Sequence, residues 1–356
     1  MARQVGMQAG EVLQGKTLYF WRTLQYLLFI AGAGIFFSLI FYPDLGINLL
    51  WNVLIPVAPL ILVLMPGLWR NICPLSFISL LPRRIGFSGK KRLKLAMQGK
   101  FMLTAVCLLY LILPLRHIML DTSGWASAAL LLLVGGGAFV SGATYEWKSG
   151  WCSGLCPVSP VEKLYGSKPL VTFPNAQCTS CRNCVIPCPD SAPQIHPLAQ
   201  QKTPEHRLSG LLLAGGLPGF IWGWFHVPDF HGMEGWHHLI MGYGLPLLSM
   251  AFSLTVFCLL SKTLMQDHLL LLIRIFSAAA VVCYYWYRLP ALIGFGIFPG
   301  DGVLVDLSRD LPFYAPWLLQ LSVLLLFSWW LIRKPELQLS WKIKPPFEKT
   351  KRHSRI

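Results

Sequence analysis

An all-α integral membrane protein with about eight transmembrane helices is predicted by three features of the sequence: scarce charge, long uninterrupted apolar runs, and a one-sided placement of Lys and Arg. Of 356 residues, 54% are hydrophobic and 13% are charged, about half the charged share of an ordinary soluble domain. That apolarity excludes a disordered chain. Ten cysteines in this length are too sparse for a secreted disulfide scaffold. A formal net charge of +15 would on its own suggest nucleic acid, so its location along the chain decides its meaning.

Taken in order, stretches 23–43 and 45–69 contain no Asp, Glu, Lys or Arg, and each exceeds the ~20 apolar residues that span a bilayer core. Residues 101–120 follow, with only Arg116 near their far end. The stretches 122–145, 208–228 and 235–261 are again free of charge. The seventh, 269–296, carries Arg274 and Arg288 near its two ends, where long basic side chains can snorkel to the headgroups. Residues 311–332 complete the eight. Gly32, Gly34, Gly135, Gly136 and Gly137 read as helix-packing positions.

Alternate threading places residues 1–22, 67–100, 146–207, 261–268 and 333–356 on one side, and these hold 26 of the 30 Lys and Arg. The other side holds Asp44, Asp121, Asp229, Glu234, Asp301, Asp306 and Asp310. By the positive-inside rule both termini are cytoplasmic, in a cell inner membrane; an odd helix count would break this partition. The start lacks an apolar signal region and a cleavage site, so no cleaved signal peptide is expected. The basic face then reads as topology and contact with anionic membrane lipid, with no nucleic acid partner. The chain divides into membrane hairpins over 1–145 with a first Cys-Pro loop at 67–100, a cytoplasmic ferredoxin-like iron–sulfur loop domain at 146–207, a four-helix membrane region at 208–332, and a basic tail at 333–356.

The loop domain carries C-T-S-C-R-N-C-V-I-P-C-P, with Cys178, Cys181, Cys184 and Cys188. This is the C-x2-C-x2-C-x3-C-P run of bacterial ferredoxins, in which three closely spaced thiolates hold one [4Fe-4S] cluster and the fourth serves another. Zinc is the competing reading, but zinc sites normally use two separated pairs. Upstream, Cys152 and Cys156 form a C-x3-C-P, and Cys73 precedes Pro74. Aligning I-C-P-L-S at Cys73 with L-C-P-V-S at Cys156 sets Trp69 opposite Cys152. Residues 18–90 and 101–170 therefore read as an internal repeat whose first copy lacks one Cys. Seven candidate ligands result, where two complete cubanes need eight. One cluster is then incomplete or of three-iron type, or its open corner is filled by Asp190, water or a partner. Two clusters are favoured because all seven share one membrane face, and a single cluster with spare thiols also fits the count. Cys107, Cys258 and Cys283 lie within spans and read as small core residues.

These motifs resemble the NapH/NosR/CcoG group of membrane-bound 4Fe-4S polyferredoxins over residues 18–200. The resemblance implies electron transfer at the membrane, often connected to the quinone pool, or service to a metalloenzyme. The chain departs from the group at Trp69 and in having one complete ferredoxin run. It also lacks a large flavin-binding or soluble C-terminal domain, and the four C-terminal spans lie outside the match. The expected function is an electron-transfer subunit relaying electrons between quinone or a partner cofactor and cytoplasmic-side clusters, with other subunits and a cytoplasmic redox partner. The alternative is a maturation factor that reduces a metal or thiol for a neighbouring metalloenzyme. No catalytic residue is assigned.

On the opposite face, F-H-V-P-D-F-H-G-M-E-G-W-H-H brings His226, His237 and His238 near His117, which ends the third span. Imidazoles at helix ends could ligate haem or exchange protons with a quinol. An interfacial belt with Trp222, Trp224 and Trp236 explains the same composition and is favoured. If the face holds one site, a quinol pocket near His117 or His226 is the first choice.

Overall fold

The computed structural model describes residues 13, 15–91, 93–146, 148–171, 173, 176–177, 196–198, 203–230, 234–263 and 267–333. The ferredoxin run with Cys178, Cys181, Cys184 and Cys188, and the tail from 334, lie outside the described residues.

Among the described residues eight helices are long and apolar enough to cross a membrane: α1 (Gly15–Phe41), α2 (Pro43–Leu64), α5 (Leu95–Leu120), α6 (Gly124–Thr144), α8 (Pro204–Phe225), α9 (Leu239–Thr263), α10 (Leu269–Leu292) and α11 (Ala315–Arg333). Short helices α3 (Pro66–Ile72), α4 (Pro74–Arg84) and α7 (Val158–Tyr165) lie between spans, as does a single turn at Glu234–His237. All eight expected spans are present. Their ends differ from the charge-free runs because prolines set them. Met65, forced out of helical conformation before Pro66 (φ −139°, ψ 58°), closes α2 at Leu64 rather than 69. Charged residues also extend the helices past their apolar cores, as Lys100 does within α5.

The central helices are α8, α5 and α10, whose Phe220, Val106, Tyr110, Leu272 and Ile273 pack in one core with Phe257 and Phe327. The outer helices α1 and α9 turn most of their surface outward, with Ile30 64% and Phe252 73% exposed. Such apolar exposure suits lipid and would not suit water. Packing depends on small residues. Gly219 of α8 meets the Ser249 backbone of α9, and Gly142 of α6 lies so close to the Ser79 backbone of α4 that a Cβ would overlap it. Of the glycines expected to pack, a Cβ at Gly137 would lie 3.3 Å from Trp151 and one at Gly32 3.5 Å from Pro74, whereas Gly34 and Gly136 face open space.

Several spans contain a wide π-helical turn near a proline, and side chains satisfy the carbonyls these turns release. In α8 the turn Leu212–Gly216 precedes Pro218. Its carbonyls accept from Tyr110 Oη (Leu212, 2.9 Å), Tyr165 Oη (Leu213, 2.8 Å) and Ser253 Oγ (Gly215, 2.6 Å). No water is present in a bilayer core to satisfy them instead. In α2 the turn Asn48–Leu54 does the same for α10: Arg288 Nη2 donates to the Trp51 carbonyl at 2.8 Å and to Asn52 Oδ1 at 2.5 Å. Arg288 is 3% exposed. It therefore does not snorkel as its position near a span end suggested; it faces inward and ties two helices together.

Candidate functional site

The two Cys-Pro dipeptides produce the same local structure. A residue before proline is pushed out of the α region. Cys73 (φ −56°, ψ 120°) thus separates α3 from α4, and Cys156 (φ −68°, ψ 117°) separates the π-helical turn Trp151–Leu155 from α7. Each helix then restarts immediately after its Cys-Pro, where unpaired amide N–H groups cluster. Leu75 and Ser76 direct theirs at Cys73 Sγ, and Val158 and Ser159 direct theirs at Cys156 Sγ. This arrangement favours negative charge on both sulfurs.

Cys73, Cys152 and Cys156 line one cavity of about 440 Å³, partly open, together with Trp69, Arg70, Ser76, Lys148, Trp151, Ser159 and Glu162. Trp69 stands on this wall, in the position that the repeat gives to Cys152. Burial pushes the Cys73 thiol up to about 11, and the neighbouring Cys152 adds to the shift. Burial, followed by Cys73 and Cys152, raises Cys156 as well. Cys152 thus acts on the ionisation of both other sulfurs across one space. As thiols Cys73 and Cys156 hold their protons at neutral pH; a bound metal would remove them.

The surroundings are polar where polar groups are costly. Lys148 is 2% exposed and donates to the Arg70 carbonyl at 3.4 Å, and Arg70 pairs with Glu162. Ser76 Oγ, Ser159 Oγ and Trp151 Nε1 are buried without a hydrogen-bond partner, at about 1–3 kcal/mol each. Unpartnered donors on a wall that also carries three cysteines fit a sulfur-rich group at the cavity. Among the described residues no three His, Cys, Asp or Glu gather closely enough to hold a metal ion. The chain approaches its ferredoxin run beside this cavity. Ala176 N donates to Asn71 Oδ1 at 3.0 Å, and Gln177, immediately before Cys178, is buried.

A second polar cluster lies at the other end of α5, where Pro114 is followed by the π-helical turn Arg116–Leu120. The turn directs Arg116 and His117 inward, and they are 2% and 7% exposed. Arg116 pairs with Asp121 at 2.6 Å and lies over the rings of Trp51 and Trp224 at 5.4 and 5.3 Å. His117 Nδ1 bonds Asp229 Oδ1, its ring lies 4.5 Å from Trp224, and Asp229 N donates to Asp301 Oδ2 at 2.8 Å. Burial raises Asp229, but the His117 hydrogen bond with the charges of His117, Arg116 and Arg288 outweighs it and holds the carboxyl below its usual range. Asp121 moves the opposite way, raised by burial despite Arg116. Arg116, His117, Asp229 and Asp301 border a pocket also lined by Trp224, Phe225, Tyr287, Ile297 and Phe298, with Arg288 on its wall. Arg116 Nη1 and His117 Nε2 are buried and unpartnered.

Of the four histidines singled out in the sequence, only His117 lines this pocket. His226 turns to the Trp222 carbonyl at 2.7 Å, His238 stacks on Phe230 at 4.6 Å, and His237 is exposed. Arg288, Asn52 and Trp51 were not expected here; the available signal was a polar Asn52 inside an apolar run. No family model, curated protein or solved structure matches the chain.

Proposed function

We propose that this chain is an integral-membrane iron–sulfur electron-transfer protein, one subunit of a membrane redox complex, with its thiol end and both termini at the cytoplasmic face. The observation that carries this reading is the convergence of Cys73, Cys152 and Cys156, from two separate Cys-Pro turns, on one cavity ringed by unpartnered donors. In the proposed arrangement Cys178, Cys181 and Cys184 hold one [4Fe-4S] cluster, and Cys188 joins Cys73, Cys152 and Cys156 around a second. Such clusters supply one-electron transfer. The chain supplies thiolates, helix N-termini that favour their charge, the buried ammonium of Lys148, and walls that limit water.

For the pocket at the far end the proposed ligand is a quinone or quinol. Asp229 holds Nδ1 of His117, which leaves Nε2 as the ring nitrogen free to exchange a proton with a quinol hydroxyl, while Arg116 Nη1 can donate to a carbonyl oxygen. Phe101, packed on Gly154 beside the thiols, and His117 stand on the same helix, about 24 Å apart at 1.5 Å per residue. That exceeds one tunnelling step, so in this reading a partner subunit's cofactor carries the electron between the two ends.

Electron paramagnetic resonance on the reduced, purified protein tests the proposal, alongside iron, sulfide and zinc analysis. A cubane signal that weakens on serine substitution of Cys73, Cys152 or Cys156, and not of Cys107, Cys258 or Cys283, is expected. Stoichiometric zinc without such a signal overturns it. Deletion of the gene should leave a dependent enzyme complete but starved of electrons; an enzyme lacking its cofactor would instead identify a maturation factor.

A further inference from the structure

The two Cys-Pro turns share more than a sulfur position. Each is followed by serine at the third residue, in Cys73-Pro74-Leu75-Ser76 and Cys156-Pro157-Val158-Ser159. A serine in a helix ordinarily bonds its hydroxyl to the carbonyl three or four residues back. For Ser76 and Ser159 the carbonyls four back belong to Ile72 and Leu155, which lie before the break at each cysteine, and those three back, of Cys73 and Cys156, already accept the Phe77 and Ser159 amides at 3.2 Å. The break that exposes amide groups to sulfur therefore also removes the usual acceptor of the hydroxyl. Both hydroxyls line the thiol cavity, at 3% and 5% residue exposure, without a partner. Trp151 adds a third such donor. Its ring is fixed against Gly137 of α6, it is 5% exposed, and its indole N–H is likewise unpartnered at the same cavity.

We propose that Ser76, Ser159 and Trp151 donate hydrogen bonds to the sulfurs gathered at this cavity and set the reduction potential of the cluster held there. The inference rests on the iron–sulfur reading and assigns to these three residues a tuning role rather than ligation. Reduction adds negative charge to the sulfurs, so a donor strengthens its bond in the reduced state and raises the potential. Because the two serines are equivalent by position in the repeat, their contributions should be similar. Trp151 enters from a different element and should act independently of both.

The experiment is a redox titration followed by paramagnetic resonance on the full chain, comparing wild type with Ser76→Ala, Ser159→Ala, the double alanine variant and Trp151→Phe. Each single variant should keep its iron and show a lower midpoint potential, and the double variant should fall by about the sum of its singles. Ser76→Thr and Ser159→Thr, which keep the hydroxyl, should return to the wild-type value. A loaded variant set whose potentials do not move overturns the inference. So does loss of iron in the alanine variants that threonine fails to rescue, because that outcome marks the serines as structural. Trp151→Phe removes the indole N–H while keeping an aromatic ring, and gives the same readout without touching either helix start. A wild-type protein with neither iron nor signal removes the underlying iron–sulfur reading and this inference with it, whereas unmoved potentials remove the inference alone.

Discussion

Ala176 donates its backbone N–H to Asn71 Oδ1 at 3.0 Å, which ties the chain entering the Cys178 run to the helix that ends at Cys73. Both residues are buried, at 5% and 2% exposure. A net hydrogen bond is worth about 1 kcal/mol, and leaving the buried amide unpaired costs about 1–3. Asn71→Ala should therefore lower thermal stability by roughly that amount and, under the proposed function, reduce iron bound per protein. Metal analysis and melting on the same preparations check this. Iron retained at wild-type level would show that the two cysteine-bearing segments are held together by other contacts.

The parts of this protein that were legible in sequence share one cause, a rule that acts locally along the chain. A span needs about twenty apolar residues, so the eight spans could be counted from charge alone. Proline disfavours helical conformation in the residue before it, and at both Cys-Pro dipeptides that preference prevails, so the repeated turn was visible and its two cysteines share one backbone conformation. What was not legible depends on the rotation of helices about their axes. Arg288 near the end of an apolar run is compatible with snorkelling or with burial. Only the packing of α10 on the π-helical turn of α2 decides between them. His226, His237 and His238 share a composition with His117, but only His117 stands on the turn that faces the pocket. The serine after each Cys-Pro was visible as a letter, and its missing acceptor emerged only when the helix starts were known.

The close approach of α6 to α4 gives a packing test. A Cβ at Gly142 would overlap the Ser79 backbone, while one at Gly136, on the same helix, meets nothing. Gly142→Ala should destabilise by about 1–3 kcal/mol, because backbone cannot yield as a side chain does. Gly136→Ala should be neutral or stabilise by up to about 1 kcal/mol through helix propensity. Melting in detergent distinguishes them, and equal effects would contradict the described α4–α6 contact.

Arg288 holds the Trp51 carbonyl and Asn52 Oδ1 of α2 from within α10. Hydrogen bonds to a charged group contribute about 1.5–3 kcal/mol. Arg288→Met should cost at least that, since it also leaves two acceptors buried. Adding Asn52→Leu removes one of them and should return part of the loss, a coupling of about 1 kcal/mol in a double-mutant cycle. Additive effects of the two substitutions would mean that the guanidinium and the amide act separately.

The His117–Asp229 pair gives a pH dependence with a definite sign. Asp229 lies below its usual range in the folded protein, so its contribution is complete above the ordinary carboxylate pKa of about 4. It is lost as pH falls through the lower folded value. Asp229→Asn should therefore be less stable than wild type at neutral pH, by about 1–3 kcal/mol for a buried charged bond, and the difference should close below about pH 4. Asp121, which burial raises, behaves oppositely: its contribution is present at low pH and diminishes as pH rises through its folded pKa. Asp121→Asn should therefore cost less at neutral pH than Asp229→Asn, although both carboxylates lie beside Arg116. Melting temperatures of the three proteins across pH 3–8 would test this, and parallel curves for wild type and Asp229→Asn would show that Asp229 is not held ionised by His117 and its neighbours.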